Sequence, residues 1–317
     1  MPKLILIDGH AILHRAYHAL PPLTNKNGLQ TNAVYGFMTM MLTVLERLNP
    51  EYLVVTFDLP QPTFRQQTYT QYQDKRPEME SNLADQIPLL HELLDVLRIP
   101  HFQVPGFEAD DVIGTLAKQE SETRNLEVII ISGDRDLLQL VDDNIKLCVP
   151  IQGLNNTKTY DRTNLLQEFG VTPEQWVDVK ALKGDASDNY PGVRGIGPKT
   201  AQELVAKYGT LENIYKNLKS LPPKVAAKLA EGAEDAGMGK KLAKIVTDVP
   251  IRLDLESSQT AKIDWLAGSI FMQEELGFKS IVGRIEKQFL FGKKRTLEKV
   301  KAEPEKKSDP GEQMKLI

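Results

Sequence analysis

Three short apolar runs, each running into aspartate, constrain the fold of this 317-residue chain more than any other feature. They are KLILID (3–8), YLVVTFD (52–58) and LEVIIISGDRD (126–136). Helical patterns lie between them, so we predict an α/β fold: a parallel sheet with helices on both faces. Such strands end at one common edge, where open α/β folds bind ligands. We therefore expect Asp8, Asp58, Asp134 and Asp136 to lie together at that edge.

The pattern of the chain changes near residue 170. Before that point, the segments with helical length and spacing are 32–49, 83–97 and 110–123. After it, the pattern is helical with tight glycine-containing turns, and the last residues are rich in Lys, Glu and Pro. We predict an α/β domain over 1–170, a helical region over 171–291 and a disordered basic tail over 292–317.

PGFEADDVIGTL (105–116) places Glu108, Asp110 and Asp111 where a helix is predicted to begin. One or two of these acids are explained as helix caps. Three exceed what a cap needs, and neighbouring carboxylates repel unless a cation lies between them. Asp185 and Asp188 extend the acidic set. Oxygen ligands without nearby His or Cys suit Mg²⁺ or Mn²⁺, and two such ions can catalyse phosphodiester hydrolysis.

The overall charge is compatible with a polyanionic partner despite a formal value of −4. Without the nine acids named above, 34 acidic residues remain against 39 Lys and Arg, so the remainder carries +5. Cys148 is the sole cysteine, which fits a reducing cytoplasm. The chain begins without a signal-peptide pattern and has no apolar run of 18 residues, so we expect a cytoplasmic protein without a membrane partner.

GVRGIGPKTA (192–201) is a second motif. Gly192, Gly195 and Gly197 permit a hairpin between two helices, and Pro198 is tolerated at a helix start. Backbone N–H groups at such a start are open to a phosphate, and Lys199 adds charge. An ordinary helix–turn–helix connection is the alternative.

The segment 63–82 is basic and aromatic. Its candidate residues for single-stranded nucleic acid are Arg65, Tyr69, Tyr72, Lys75 and Arg76. A solvated loop is the alternative. His10, His14 and His18 are spaced by four, as in a zinc stripe, but packing on a helix over the sheet is favoured.

Five segments together resemble the 5′ nuclease domains of bacterial DNA polymerases I, in the flap endonuclease superfamily. These segments are LILIDGHAILHRAYHALPPLT, VTFDLPQPTFR, GFEADDVIGTLA, SGDRDLLQLV and LKGDASDNYPGVRGIGPKTAQELVAKYG. The resemblance covers about residues 3–291. It implies a PIN-like (resolvase-like) domain with a helical arch at about 62–85, followed by a helix–hairpin–helix (H3TH) region.

The resemblance also implies roles for individual residues. The metal acids are Asp8, Asp58, Glu108, Asp110, Asp111, Asp134, Asp136, Asp185 and Asp188. Arg15 and Arg76 are implied to be catalytic cations near the scissile phosphate. The implied DNA-binding residues are Arg15, Tyr72, Lys75, Arg76, Gly192, Arg194, Gly195, Gly197, Lys199 and Thr200. Gln73 stands where the family's arch has Lys, so either Lys75 substitutes or phosphate stabilisation is weaker.

The implied function is structure-selective hydrolysis of DNA 5′ flaps and 5′ ends by two Mg²⁺ or Mn²⁺ ions, in primer removal and repair. A K⁺ ion at the hairpin is a further expectation. Two alternatives remain: a catalytically weak DNA-binding module of the same fold, and a PIN-type ribonuclease. We expect a bacterial cytoplasmic, nucleoid-associated protein, either stand-alone or the N-terminal part of a polymerase.

The extreme C-terminus offers one further hypothesis. Residues 313–317, QMKLI, resemble the short peptides with which bacterial replication proteins hold the sliding clamp. A chance match at the end of a linker is the alternative.

Overall fold

A computed structural model describes residues 1–152 and 156–290 of the chain. Its centre is a six-stranded sheet of order β3-β2-β1-β4-β5-β6, parallel except for the β5–β6 pair. The strands are β1 (Lys3–Asp8), β2 (Tyr52–Thr56), β3 (His101–Phe102), β4 (Glu127–Ile131), β5 (Ile145–Gln152) and β6 (Asn156–Tyr160). The predicted α/β fold is confirmed, and the three predicted strands are its central ones.

The apolar runs are continuous because both faces of the sheet are covered. In β1, Leu4 and Leu6 belong to one hydrophobic core, while Ile5 and Ile7 belong to the other. All four are at most 1% exposed. Alternate residues of a strand point to opposite faces, so only a strand buried on both sides needs an unbroken apolar run.

Helices cover the two faces of the sheet. Those before residue 170 are α1 (Gly9–Ala19), α2 (Asn32–Leu48), α3 (Phe64–Thr68), α4 (Ser81–Ala84), α5 (Gln86–Val96), α6 (Ala109–Arg124) and α7 (Arg162–Phe169). Helices α1, α2 and α5 pack against one face, and α6 packs against the other. No helix in the described residues is long and apolar enough to cross a bilayer.

The chain after residue 170 is helical, as predicted, apart from one small hairpin. Its elements up to residue 243 are α8 (Trp176–Lys183), β7 (Gly184–Asp185), β8 (Tyr190–Pro191), α9 (Pro198–Tyr208), α10 (Leu211–Lys216), α11 (Pro223–Glu231) and α12 (Ala233–Ala243). The β7–β8 pair needs glycine, because a Cβ on Gly192 would lie 2.2 Å from the backbone nitrogen of Gly184. This close approach leaves no room for a side chain at residue 192.

The last two helices return to the α/β core. Helices α13 (Trp265–Phe271) and α14 (Lys279–Gln288) share a hydrophobic core with α2 and α5. Trp265 stacks on Phe289 with a centroid distance of 4.4 Å, and Arg284 bonds to Glu46 of α2. The end of the predicted helical region, 171–291, thus packs on helices of the α/β domain. The predicted tail, 292–317, and its candidate clamp peptide lie outside the described residues.

The predicted helical arch is not a continuous helix here. Between α3 and α4 the chain forms turns over residues 70–76, and Gln73 has a positive φ of 60°. Thr70, Asp74 and Pro77 favour turns over helix. Hydrogen bonds to the β7–β8 hairpin then fix these turns over the sheet edge.

Candidate functional site

The carboxyl edge of the sheet opens into a cleft of about 1940 Å³. Seven of the nine predicted acids line it: Asp8, Asp58, Glu108, Asp110, Asp134, Asp136 and Asp188. Asp185 lies next to them, with carboxylate oxygens of Asp136, Asp185 and Asp188 all within 4.8 Å of one another. The structure therefore brings eight predicted acids together from five separate segments.

Asp8 and Asp58 are held by neutral donors. The carboxylate of Asp8 caps α1 by accepting the Ala11 N–H at 3.0 Å, and it also accepts the Ser132 hydroxyl at 2.7 Å. Asp58 accepts the Ala109 N–H at 2.8 Å. Burial, with the nearby charge of Asp58, raises the pKa of Asp8 to about 7. An anion this poorly compensated favours a proton or a metal ion.

The start of α6 divides its three acids between two roles. Glu108 and Asp111 form a capping box, so the capping explanation holds for both of them. Glu108 also faces the cleft, and burial raises its pKa to about 7. Asp110 projects into the cleft, and its pKa is raised well above the usual value by burial and then by the charge of Asp134.

Asp111 does not belong to the cleft. Its side chain is fully buried, and Arg65 binds both of its oxygens at 2.7 and 2.8 Å. The N–H groups of Glu108 and Val246 fill the remaining positions. With four donors already present, this carboxylate has no position left for a metal ion, so we omit Asp111 from the candidate metal set.

Arg65 accordingly has a structural role rather than the nucleic-acid contact expected for it. Its side chain is 3% exposed, and it also donates to the carbonyl oxygens of Leu242 and Lys244. It therefore ties the base of the arch segment to the end of α12.

Asp134 and Asp136 follow β4 in a tight turn. Asp134 accepts the N–H of Asp136 at 2.8 Å, and its own N–H donates to Ser132. Burial raises the pKa of both carboxyls, and burial together with the charge of Asp134 raises that of Asp136 to about 7.

Lys180 of α8 is a further functional candidate, which is not among the residues predicted from the sequence. Its side chain is 5% exposed, and its ammonium lies 2.5 Å from an oxygen of Asp136, with Asp185 as its second partner. Burial opposes the ionisation of Asp185, but bonds from Lys180 and Ser187 outweigh it and hold the pKa of Asp185 below its usual range. A lysine inside the apolar run WVDVKALK (176–183) was the available signal, because a buried lysine requires a carboxylate partner.

The arch residues contact the acids unequally. Arg76 lies 2.6 Å from Asp188, and both the backbone N–H and the side-chain amide of Gln73 donate to Asp188. Arg15 lines the cleft, whereas Lys75 is exposed and is not part of the described cleft lining. The structure thus brings Arg15 and Arg76 to the acids and leaves Lys75 apart.

Tyr72 does not present a free ring face. It is 4% exposed, lies 3.3 Å from Glu108 through its hydroxyl, and stacks near-parallel to Tyr190. The expected stacking of a base on Tyr72 is therefore not available in this conformation. The ring instead fills the space between the arch turns and the β7–β8 hairpin.

The three spaced histidines have different contacts. His10 accepts the N–H of Asp58 and packs edge-on against Phe57. His14 and His18 contact each other through ring nitrogens 3.2 Å apart. The packing interpretation therefore describes His10, and the stripe does not converge on one point.

The glycine-rich hairpin forms a second exposed surface. Val193 and Ile196 are buried and anchor it, while Arg194, Gly195, Gly197 and Lys199 face outward. Gly195 has a φ of +78°, and its carbonyl accepts a hydrogen bond from Lys228 at 2.9 Å.

The hairpin leads directly into a helix. Gly197 is the N-cap of α9, with Pro198 at the first helical position and Thr200 following in the first turn. The backbone N–H groups at this helix start are accessible, as a phosphate contact requires.

The protein has a mostly parallel sheet with carboxylates gathered at its carboxyl edge. A helical region with a glycine-rich hairpin follows that sheet in the chain. Together these features place the protein in the class of α/β nucleases. Residues 3–170 match the family model "5'-3' exonuclease, N-terminal resolvase-like domain". Residues 171–265 match "5'-3' exonuclease, C-terminal SAM fold". The chain belongs to the 5′-3′ exonuclease family, which confirms the resemblance seen in its motifs.

Two relatives that are 37% and 41% identical to the chain agree with the family model. The chain is 37% identical to the 5'-3' exonuclease of Aquifex aeolicus, with 94% of this chain and 100% of that protein covered. It is 41% identical to DNA polymerase I of Caldicellulosiruptor bescii, with 89% of this chain but 33% of that protein covered. The chain thus spans about a third of the length of the DNA polymerases that it matches.

Two solved structures share the fold at low identity. The T5 D15 protein co-crystallised with metal ions has a TM-score of 0.64 at 19% identity, with 91% of this chain and 98% of that chain covered. The catalytic core of Rad2 in complex with DNA substrate has a TM-score of 0.54 at 19% identity, covering 87% and 88%. These likenesses support the fold.

Proposed function

We propose that this protein hydrolyses phosphodiester bonds at DNA 5′ flaps and 5′ ends with the help of divalent metal ions, Mg²⁺ or Mn²⁺. The observation that carries the proposal is the cluster of eight carboxylates at the cleft, several of which are buried with raised pKa values. Such a cluster is costly without cations and is well suited to binding them. Metal-bound and DNA-bound relatives of the same fold support this assignment.

The donor set fits hard divalent cations, because its ligands are carboxylate oxygens. We propose that Asp8, Asp58, Glu108, Asp110 and Asp134 would hold one ion. The second group would be Asp136, Asp185 and Asp188. Two bound ions would supply an activated water and stabilisation of the leaving oxygen.

The chain's own cations would position the DNA. Arg76 and Arg15 lie at the cleft and would bind the phosphate to be cleaved, lowering the cost of bringing a polyanion to a carboxylate cluster. The hairpin at 192–200 would bind the duplex backbone through Gly195, Gly197 and Lys199. Gln73 contributes hydrogen bonds but no charge.

We also propose that a potassium ion binds at the glycine-rich hairpin. Backbone carbonyls at the turn could hold it, but the ammonium of Lys228 already occupies the carbonyl of Gly195. We therefore expect that removing K⁺ changes the DNA affinity less than the substitution Lys228→Ala does. Replacement of KCl by LiCl at constant ionic strength, with wild type and Lys228→Ala, measures both effects.

A labelled-flap assay tests the main proposal. We expect cleavage with Mg²⁺ and none with EDTA. Asp110→Asn should reduce cleavage at least about a hundredfold while flap binding in Ca²⁺ stays within a few-fold. Asp235→Asn, at an exposed position on α12, is the matched control.

The same assay separates the alternatives. Binding of the flap without metal-dependent cleavage would favour the DNA-binding module. Preferential cleavage of an RNA flap would favour the ribonuclease, and full activity of Asp110→Asn would refute the metal-site assignment.

A further inference from the structure

Apart from Glu108, which lies 3.3 Å from Arg65, the acids at the cleft fall into two groups that differ in how their charge is compensated. Within the described residues, Asp8, Asp58, Asp110 and Asp134 form no ion pair with Lys or Arg. The donors to Asp8, Asp58 and Asp134 are backbone N–H groups and the Ser132 hydroxyl. No Lys or Arg of the described residues therefore compensates the charge of this group.

The second group is already paired with cations of the protein. Lys180 contacts Asp136 and Asp185, and Arg76 contacts Asp188 at 2.6 Å. The three carboxylates are the ones whose oxygens lie within 4.8 Å of one another. The ammonium of Lys180 thus contacts two of the three carboxylates that could otherwise bind one ion.

The two cations differ in their freedom to leave. Lys180 is 5% exposed and extends from the packed helix α8, whereas the Arg76 side chain is 52% exposed and belongs to a turn. Although burial alone would lower the pKa of Lys180, the carboxylates of Asp136 and Asp185 raise it above its usual value. Lys180 therefore stays charged in place, while Arg76 can exchange Asp188 for a phosphate of DNA.

We propose that Lys180 is an internal counter-cation that weakens divalent-ion binding at Asp136, Asp185 and Asp188. This inference rests on the proposed metal-binding function and adds the order in which the two ions bind. The first ion binds the uncompensated group, and a second ion binds the Lys180 group only weakly. Departure of Arg76 from Asp188 strengthens that second binding event, so DNA entry and loading of the second ion are coupled.

Metal titration without DNA tests this proposal independently of activity. Mn²⁺ is added to the EDTA-treated full chain, and bound and free ion are followed by calorimetry and by electron paramagnetic resonance. For wild type we expect one tight ion and a second that binds at least about tenfold more weakly. Lys180→Met should strengthen the second binding event by about tenfold or more, because two carboxylates lose their ammonium partner.

Two further variants keep the result interpretable. Lys240→Met is the matched control, since Lys240 pairs with Asp178 and Glu212 away from the cleft, and its titration should equal that of wild type. Lys180→Gln retains a hydrogen-bond donor without the charge and replaces Lys180→Met if circular dichroism shows that Met disrupts folding. Arg76→Gln should also strengthen the second event, because it frees Asp188.

The outcomes are distinct. Unchanged Mn²⁺ binding in a folded Lys180 variant, or loss of the weak site, overturns the inference and makes Lys180 a support for its carboxylates. Two equal ions in wild type would overturn it as well. No Mn²⁺ binding in wild type at millimolar concentration would instead refute the proposed function.

Discussion

Arg65 and Asp111 show how strongly one buried ion pair depends on both partners. The pair is bidentate, with side chains 3% and 0% exposed, and Asp111 also receives two backbone N–H groups. Such a pair adds little net stability compared with apolar residues, but loss of one partner leaves an uncompensated buried charge.

Arg65→Met should therefore destabilise the protein by about 3–5 kcal/mol, measured by urea unfolding. Arg162→Met is the matched control, because its partner Glu174 is exposed, and it should cost under about 1 kcal/mol. Adding Asp111→Leu to Arg65→Met should recover part of the loss. If Arg65→Met and Arg162→Met had equal free energies of unfolding, the buried Asp111 carboxylate would not depend on Arg65.

At the level of single residues, the sequence predicted acids better than cations. Asp8 and Asp134 are recognisable because each follows an apolar strand, and strand direction carries them to a common edge. Lys180 and Arg65 are reached only through tertiary packing, since their partners lie on other elements. The same limitation explains why Asp111 was predicted as a metal ligand. Its neighbours Glu108 and Asp110 face the cleft, whereas Asp111 faces Arg65.

Among the elements, strands were easier to predict than the arch. The three central strands are buried on both faces, so their sequences must be apolar throughout. Strand β3 has two residues and carries no such pattern. The turns at 70–76 are fixed by bonds to Asp188 and Asn189, more than 100 residues away along the chain, and no local pattern encodes those contacts.

The hairpin at Gly195 provides an element-scale prediction. Gly195→Val should weaken flap-DNA binding by about tenfold in Ca²⁺, because φ is +78° and a Cβ would lie 2.7 Å from the Lys228 ammonium. Gly170→Val has comparable backbone strain at φ +70° with open space around it. That control should lose some stability but keep its DNA affinity within about twofold. Equal affinity losses would mean that strain, rather than phosphate approach, explains the effect.

The start of α9 provides a prediction about the salt dependence of DNA binding. The Lys199 side chain is 91% exposed, and its approach to Glu203 is only 4.0 Å, so its charge is available to a phosphate. Lys199→Ala should reduce the slope of log K against log salt by about one. Lys207→Ala, at the other end of the same helix, should leave the slope unchanged. A normal slope for Lys199→Ala would place this side chain outside the DNA contact.

For the molecule as a whole, the uneven distribution of charge matters more than the net value. The formal charge of −4 conceals an acidic cleft and a remainder with excess positive charge. The fold was predicted from the alternation of strands and helices, and the class of protein from the order of the motifs. The packing of α13 and α14 onto α2 and α5 did not, because apolar helix faces do not specify their partners.

The acidic cleft should also control the pH dependence of stability. Burial raises the pKa of Asp8, Glu108 and Asp136 to about 7, so between about pH 4 and pH 7 the folded state binds more protons than the unfolded state. Stability of the metal-free protein should therefore fall as pH rises through that window. Each tenfold change in proton affinity corresponds to about 1.4 kcal/mol, so we expect a loss of at least about 3 kcal/mol between pH 5 and pH 8.

Divalent ions should remove this dependence. Urea unfolding at pH 5 and pH 8, with EDTA or with Mg²⁺, measures it directly. Mg²⁺ should restore most of the loss at pH 8, because a bound cation replaces the protons. Asp110→Asn should show a smaller loss in EDTA, since it removes one charge from the cleft, whereas Asp235→Asn should behave as wild type. A metal-free protein equally stable at both pH values would show that these carboxylates do not strain the folded state.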